Sequence, residues 1–261
     1  HGQQIAEYGC IQAYDAPVRA VCDSAGNEVV VQCPIDGRRV AVKVWQAGVG
    51  RINVLLLDTD LAQNEPGDRQ ITRQLYGGDS LLRLQQEIIL GMGGVRALRA
   101  AGLSPQVWHI NEGHAAFQIV ERIRELVVDG LVFDAAIEVV AANTVFTTHT
   151  PVSAGHDVFD RELILNHFRT LIPELGISEE AFLALARESD AHPAFNMTRL
   201  ALSGSRHVNG VSRLHGQVTS RICAGAWPEV PAAENPVGYV TNGVHVPTFM
   251  QKEWADLLEQ N

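Results

Sequence analysis

A short β-branched run that ends in a polar loop is the feature that most constrains this fold. Thr144-Val145-Phe146 has the composition of a buried strand, and it leads directly into a polar segment, residues 147–157, that contains Pro and Gly. Such runs are typical of strands inside a sheet. In an open α/β sheet, ligands bind just beyond the carboxyl ends of the strands. We therefore expect His149, near the start of this loop, to lie at the lip of a cleft.

Two other strand-like runs also end in polar loops. One precedes residues 111–114, and the other precedes Asn242. From Val107 onward, predicted strands alternate with predicted helices, including helices over residues 115–127 and 133–142. This alternation is typical of an α/β protein with a parallel, doubly wound sheet. Because parallel strands end at the same edge of a sheet, the three loops are expected to line one site.

The first part of the chain has a different pattern. Two β-branched runs flank Asp36-Gly37, which predicts an antiparallel hairpin. The apolar run at residues 52–57 is predicted to be a buried strand. A helix capped by Asp79 or Ser80 should follow, and a further short helix is expected over residues 181–187. The first of these helices contains Gly91, Gly93 and Gly94, which indicates a close helix contact, since each glycine costs about 1 kcal/mol relative to alanine.

Composition excludes several classes of function. The chain has 261 residues and 46% hydrophobic content, enough to bury a sizeable core. Its formal charge of -10 disfavours nucleic-acid binding, which requires a clustered basic surface. No apolar stretch reaches the roughly 20 residues that cross a bilayer, so we predict a cytoplasmic protein with no membrane partner. The chain lacks an initiator methionine and stops within an amphipathic helix, which suggests a piece of a longer protein.

The cysteines and histidines do not have the spacing of a metal site. The four cysteines are predicted to be buried thiols, with a disulfide among Cys10, Cys22 and Cys33 as the alternative. Ten histidines raise the alternative of a zinc hydrolase, but no HExxH or HxH spacing occurs, and we predict no metal. The glycine-rich segments 76–79 and 91–94 match no phosphate-binding fingerprint.

Each candidate site residue also has a purely structural interpretation. Asn111 could cap the following helix with Glu112 in its first turn, and Asn242 could belong to a simple turn. His149 could be a histidine that backbone groups satisfy. Their common position after predicted strands favours a binding role. A neutral polar edge of Asn, His and Thr suits sugar hydroxyls, which need several donors and acceptors and no net charge.

Eight motifs in order resemble the short-type bacterial α-glucan (glycogen and maltodextrin) phosphorylases. They occupy residues 57–60, 74–79, 86–91, 94–98, 111–117, 147–151, 209–215 and 240–245. The resemblance implies a two-lobed glycosyltransferase fold of the B type, built from Rossmann-like lobes with parallel sheets. It implies that residues 1–50 are a partial β-rich segment, that residues 51–261 are the Rossmann-like part of the N-terminal lobe, and that the C-terminal lobe is absent.

The resemblance also implies an activity. Phosphorylases transfer the terminal α-1,4-glucosyl unit of glycogen or maltodextrin to inorganic phosphate, which gives glucose 1-phosphate. His149 and Asn242 match the residues that bind the glucosyl unit. Asn111, Glu112 and His114 match a motif that lies close by, and they are further candidates for substrate binding.

The family's cofactor is pyridoxal phosphate, which a lysine of the C-terminal lobe binds. Lys43 and Lys252 are the two lysines of this chain, and neither lies in a matching context. We therefore expect half an active site, no activity of the chain alone, and a homodimer when the protein is full length. Two alternatives stay open, a non-catalytic sugar-binding module and a related glucan synthase that uses a nucleotide sugar.

Overall fold

A computed structural model describes residues 16–75, 78–152, 155–189 and 192–259; Cys10 lies outside these ranges. The strands are β1 (Val18–Ala20), β2 (Val30–Ile35), β3 (Arg38–Val49), β4 (Ile52–Asp58), β5 (Trp108–Asn111), β6 (Thr144–Thr148), β7 (Val158–Phe159), β8 (Arg187–Ser189), β9 (His192–Asn196), β10 (His207–Gly210) and β11 (Val237–Tyr239). The helices are α1 (Ser80–Ile88), α2 (Gly94–Ala100), α3 (Phe117–Val128), α4 (Phe133–Ala142), α5 (Arg161–Phe168), α6 (Glu179–Ala184), α7 (Met197–Ser203), α8 (Arg213–Ile222), α9 (Val246–Phe249) and α10 (Lys252–Glu259).

The first sheet is antiparallel and is organised around the long strand β3, which pairs with β1, β2 and β4. The predicted hairpin is confirmed as β2–β3. Its turn residues Asp36 and Gly37 both have positive φ, 47° and 73°, as a two-residue turn between twisted strands requires.

The prediction of a buried strand at residues 52–57 is right about the strand and wrong about its burial. The run forms β4, which pairs with β3, and Ile52 and Leu56 are 66% and 43% exposed. Burial of such a run depends on what covers its outer face. A continuous apolar run does not show which elements pack on the strand, so it cannot distinguish a partly exposed strand from a buried one.

The second sheet is parallel, as predicted, with the strand order β11-β10-β6-β5. One face carries apolar side chains that helices cover: Trp108, Ile110, Phe146 and Val208 are all buried. Helix α8 packs on β10 and β11, and the Arg122 guanidinium of α3 lies 4.5 Å from the Trp108 ring on the same face. The sheet is therefore helix-covered on this face.

The opposite face of the parallel sheet is polar. His109 and His207 are exposed there, and three side chains form a hydrogen-bonded row across three strands. His109 Nε2 lies 2.7 Å from Thr147 Oγ1, which donates to Asn209 Oδ1 over 3.0 Å. The two faces of one sheet thus differ sharply in composition and in what covers them.

A third, small antiparallel sheet has the order β7-β9-β8. Four phenylalanines pack between it and helix α3, with ring centroids 4.8 to 6.1 Å apart: Phe117, Phe168, Phe182 and Phe195. The helix predicted over residues 181–187 begins and ends earlier, as α6, and Arg187 starts β8. Ser178 caps α6 through the Ala181 amide, so the helix begins right after this cap.

Helices α1 and α2 form one continuous helix that a single π-helical segment, Ile89–Gly93, interrupts. Asp79 caps its start, as predicted, by accepting from the Leu82 amide over 3.0 Å. The predicted close contact is confirmed at Gly91, where a Cβ atom would lie 2.8 Å from the Gln118 amide of α3. Gly93 also makes a close contact, but with the Cys33 side chain of strand β2, so the predicted helix contact is wrong there, as it is at Gly94, which faces open space.

The prediction of buried thiols holds for Cys33 and Cys223 and is wrong for Cys22, which is exposed. Cys22 and Cys33 are free thiols. Across the described ranges, we find no helix that is both long and apolar enough to cross a membrane.

Candidate functional site

The carboxyl ends of the parallel strands carry the polar loops in which the site was predicted. Residues 111–114 follow β5, His149 follows β6, and Asn242 lies beyond β11. The Asn242 amide donates to Val211 O over 3.1 Å, so its loop continues beside the end of β10. Since β10 separates β6 from β11, the strands that lead to the His149 and Asn242 loops lie about 10 Å apart. Both residues are exposed at the same edge of the sheet.

Asn111 and Glu112 do not cap a helix, so that structural interpretation is wrong. Asn111 is the exposed last residue of β5, and a 3-10 turn, Gly113–Ala115, separates it from α3, which begins at Phe117. The extra turn arises because Glu112 has φ 61° and ψ -178°, which is outside the conformations that lead directly from a strand into a helix.

Glu112 instead connects the ends of β5 and β6. Its carboxylate accepts hydrogen bonds from the His149 amide, from Thr150 Oγ1 over 3.1 Å and from Thr148 Oγ1 over 3.3 Å. Its own amide donates to Thr147 O over 2.9 Å. The structure therefore brings the predicted residues Glu112 and His149 together, with the His149 side chain left exposed.

His114 points away from Glu112 into a group of charged side chains, here called the His114 cluster: Arg83, Glu87, His114 and Asp157. Arg83 Nη2 lies 3.0 Å from Asp157 Oδ2, and Arg83 Nε lies 3.1 Å from Glu87 Oε1. His114 Nδ1 lies 3.1 Å from Asp157 Oδ2 and 3.7 Å from Glu87 Oε1. Two cationic and two acidic groups therefore face each other at the base of the loops.

Burial and pairing shift the pKa values within this cluster. Burial raises the pKa of Glu87 to about 7. The hydrogen bond with Asp157, followed by the nearby Glu87 carboxylate, raises the pKa of His114 to about 9. Burial opposes ionisation of Asp157, but its hydrogen bonds with His114 and Arg83 outweigh this effect and lower the pKa of Asp157.

One proton decides which contact His114 makes. Nδ1 lies 2.7 Å from Arg83 Nη2 as well as 3.1 Å from Asp157 Oδ2. A protonated Nδ1 donates to Asp157, whereas an unprotonated one can accept from Arg83. The contacts with Asp157 and Glu87 raise the pKa of His114 to about 9, which favours the protonated ring that donates to Asp157.

A cleft of about 640 Å³ opens above the cluster, between the start of α1 and the loop after β6. Its described lining is Gly78, Asp79, Ser80, Arg83, His114, Thr150, Gly155, Asp157, Val158 and Phe159. A cleft with this many donors and acceptors at the carboxyl edge of a parallel sheet suits a polar ligand.

Three residues of the cluster also have the composition of a cation site. The ligand atoms of Glu87, His114 and Asp157 lie within 4.8 Å of one another. The Arg83 guanidinium, however, contacts both carboxylates at 3.0 to 3.1 Å and already neutralises them. A metal ion would have to displace this arginine, so we assign the carboxylates to Arg83 and His114.

Three cluster residues were missed by the sequence prediction: Arg83, Glu87 and Asp157. Glu87 had a detectable signal, because it lies on the apolar stripe of α1 between Leu84 and Ile88 and is buried with them. A charged residue on such a stripe is uncommon without a partner. Asp157 was the last residue of the polar segment after β6, but nothing in its spacing marked it as a partner for Arg83, 74 positions earlier.

The two lysines do not fit the covalent attachment of pyridoxal phosphate at this edge. Lys43 donates to Glu28 over 2.7 Å and lies 4.2 Å from the Trp45 ring, in the antiparallel sheet. Lys252 is exposed in α10. No described residue of this edge is a lysine.

Comparison with known proteins shows which proteins the chain is similar to. No protein-family model matches it. Glycogen phosphorylase of Mycobacterium tuberculosis (strain CDC 1551 / Oshkosh) is 42% identical over 272 residues, which cover 98% of the chain and 31% of the relative. Maltodextrin phosphorylase of Thermococcus litoralis is 39% identical, with 99% and 31% covered. Glycogen phosphorylase of Aquifex aeolicus is 35% identical, with 94% and 35% covered.

The matches extend over nearly the whole chain but over only part of each relative. The chain spans about a third of the length of these relatives, 31% for the first two. The resemblance carried by the motifs is thereby confirmed: nearly the whole chain is similar to one part of the glycogen and maltodextrin phosphorylases.

Proposed function

We propose that the protein to which this segment belongs is an α-glucan phosphorylase. It would transfer the terminal α-1,4-glucosyl unit of glycogen or maltodextrin to inorganic phosphate and release glucose 1-phosphate. The observation that carries the proposal is the identity of 39 to 42% with glycogen and maltodextrin phosphorylases across at least 98% of the chain. The cleft beside the loops after β5 and β6 supports it, because a sugar needs neutral and charged hydrogen-bonding groups in one place. Its described lining includes His114 and Thr150 but neither His149 nor Asn242.

We further propose that this segment is part of the N-terminal lobe of a two-lobed B-type glycosyltransferase fold. The support is the parallel four-stranded sheet. Its polar face, which carries Thr147 and the exposed His109, is open to packing by a further part of the protein. The division at residue 50, the homodimer and the cytoplasmic location stay predictions.

The proposed sugar contacts are His149 and Asn242. An imidazole and an amide together offer both donors and acceptors without adding a fixed charge, which matches a hydroxyl group. Both are exposed at the sheet edge, where a bound sugar would reach them. Asn111, Glu112 and His114 are the proposed neighbours of the sugar at the end of β5.

The phosphate and the cofactor would be held by residues outside this chain. The two cationic groups of the cleft, Arg83 and His114, are already paired with Glu87 and Asp157. Pyridoxal phosphate, the family cofactor, would supply a phosphate group next to the substrate phosphate, but no lysine here fits its attachment. This segment would therefore bind and orient the sugar, and it would turn over no substrate alone.

The test uses the full-length protein with His149→Ala and Asn242→Ala. Each variant should lower the release of glucose 1-phosphate from maltodextrin by about 100-fold, which corresponds to roughly 2.7 kcal/mol of transition-state stabilisation. Cofactor absorbance should stay unchanged, because the proposal assigns both residues to the sugar and the cofactor to residues outside this chain. His207→Ala is the matched control, since His207 is exposed at the opposite end of β10.

Three outcomes separate the parts of the proposal. If the wild-type protein releases no glucose 1-phosphate from any glucan, the proposed function is wrong, and a synthase would instead consume a nucleotide sugar. Binding of glucan without any turnover would favour the sugar-binding module. If the wild type is active and both variants match it, the site assignment alone is wrong.

A further inference from the structure

We infer that Glu112 is a positioning residue whose carboxylate holds the backbone that presents His149 to the sugar. The inference rests on the proposed function for what His149 binds, but its structural basis is independent of that function. It assigns Glu112 a role that acts through the loop after β6.

The first observation is the backbone of Glu112. Its φ of 61° and ψ of -178° lie in a backbone region that residues other than glycine rarely adopt. In the described ranges, Asp36 is the other non-glycine residue with positive φ, and it belongs to a hairpin turn where aspartate is common. Glu112 has no such turn to explain it, so a glycine would fit this position with less strain.

The second observation is what the side chain does there. Three consecutive residues, Thr148, His149 and Thr150, all donate to the Glu112 carboxylate. The Thr150 amide also donates to Thr148 Oγ1 over 3.3 Å, which keeps the segment compact. A threonine hydroxyl can rotate to another acceptor, but the direction of the His149 amide is set by the backbone. Its hydrogen bond to Glu112 therefore restrains the backbone itself. A carboxylate, which only accepts, matches all three donors at once.

The third observation is that the surroundings prevent relaxation. The Glu112 amide is bonded to Thr147 O over 2.9 Å, which holds it at the end of β6. On the other side, a Cβ atom at Gly113 would lie 2.9 Å from the Met197 Cβ of α7, so this turn is packed tightly. Contacts on both sides therefore maintain the strained conformation. Strain that is held in this way is typical of functional sites.

Together these contacts make the direction of the His149 side chain depend on Glu112. If the carboxylate is lost, residues 148–150 keep the connection of β6 but lose the acceptor that fixes their backbone. The His149 ring then samples several directions, and sugar binding loses a preorganised contact.

The experiment compares Glu112→Gly and Glu112→Gln in the full-length protein, with Glu138→Gln as the control because Glu138 is 70% exposed and pairs with Arg206. Glu112→Gly should lower kcat/KM for maltodextrin about 10- to 100-fold while Tm stays within about 3 °C, since relief of strain offsets the lost hydrogen bonds. Glu112→Gln should lower kcat/KM about tenfold. Wild-type kcat/KM in Glu112→Gly, or a loss of Tm in step with activity, would overturn the inference.

A double variant separates positioning from direct sugar contact. In a His149→Ala background, Glu112→Gln should change kcat/KM by less than about threefold, because no ring is left to position. A full tenfold effect in that background would mean that Glu112 contacts the sugar independently, and the inference would be wrong.

Hydrogen exchange provides a readout that needs no activity. The His149 amide should exchange at least about tenfold faster in Glu112→Gln than in wild type, because its acceptor is weakened. An unchanged rate would overturn the inference. If exchange responds but the wild type releases no glucose 1-phosphate, the proposed function fails and the positioning of His149 by Glu112 stands.

Discussion

Two clusters of charged side chains involve the same interrupted helix. They have similar compositions, but their buried carboxylates differ in how they are hydrogen-bonded. The His114 cluster draws Arg83 and Glu87 from α1. The second, here called the Glu121 cluster, consists of Arg96 of α2, Glu121 and Arg124 of α3, and Glu174. Arg96 donates twice to the Glu121 carboxylate over 2.8 Å, and Arg124 donates twice over 2.7 and 3.1 Å.

The difference lies in how completely each buried carboxylate is satisfied. The fully buried Glu121 receives four aligned hydrogen bonds from two guanidinium groups. The equally buried Glu87 lies 3.1 Å from Arg83 without a well-aligned hydrogen bond to either oxygen. A satisfied network stabilises a fold, whereas an incompletely satisfied one with shifted pKa values is typical of a functional site. The comparison teaches that burial of charge alone does not distinguish the two.

The largest effect is expected at the centre of the Glu121 cluster. Glu121→Gln should lower the free energy of unfolding by about 3 kcal/mol, because it leaves Arg96 without its anion and Arg124 with only the half-exposed Glu174. Urea denaturation at neutral pH measures this loss. Glu125→Gln is the control, since Glu125 is partly exposed and pairs with Arg99. A decrease in the free energy of unfolding of less than about 1 kcal/mol would contradict the stabilising role assigned to the Glu121 cluster.

A smaller, pH-dependent effect is expected at His114. Because its pKa is raised from 6.5 to about 9, the stabilisation by charged His114 is complete below pH 6.5 and is lost as the pH rises through about 9. His114→Gln should therefore lower the free energy of unfolding by about 1 to 2 kcal/mol at pH 6, after allowance for its partial exposure, and by much less at pH 9.5.

Urea denaturation between pH 6 and pH 9.5 measures this dependence, with the exposed His207→Gln as the control. A gap between wild type and His114→Gln that stays constant over this range would contradict the assigned proton. The raised pKa of Glu87 acts in the same direction at lower pH, between its ordinary value of 4.5 and about 7.

The smallest effect is expected at the exposed arm of the Glu121 cluster. Glu174 is 50% exposed and pairs with Arg124 over 3.1 Å. Glu174→Gln should change the free energy of unfolding by no more than about 0.5 kcal/mol, since water screens such a pair. The same denaturation series measures it. A loss as large as that of Glu121→Gln would mean that burial is not what gives the cluster its strength.

The sequence predicted those features that depend on local pattern. The hairpin at Asp36-Gly37, the α4 helix and the cap at Asp79 each follow from neighbouring residues, and each is confirmed. The parallel sheet followed from the alternation of strands and helices, and it placed His149 and Asn242 at one edge. These features need no knowledge of distant contacts.

The features that the sequence did not predict depend on distant partners. Arg96 meets Glu121 25 positions later, and Arg83 meets Asp157 74 positions later, so no local spacing reveals either cluster. The positive φ of Glu112 is equally hidden, because glutamate gives no local signal of it. The exposure of Leu56 in β4 depends on which elements pack over it.

The π-helical segment Ile89–Gly93 sets the angular phase between the two clusters. A π turn contains one residue more than an α turn, and one residue corresponds to about 100° of rotation about the helix axis. Deleting a single residue there would regularise the helix while turning Arg96 by about 100° relative to Arg83, away from Glu121. The extra residue thus orients the two ends of the helix independently. Arg96 can then contact Glu121 at one end, while Arg83 lines the cleft at the other.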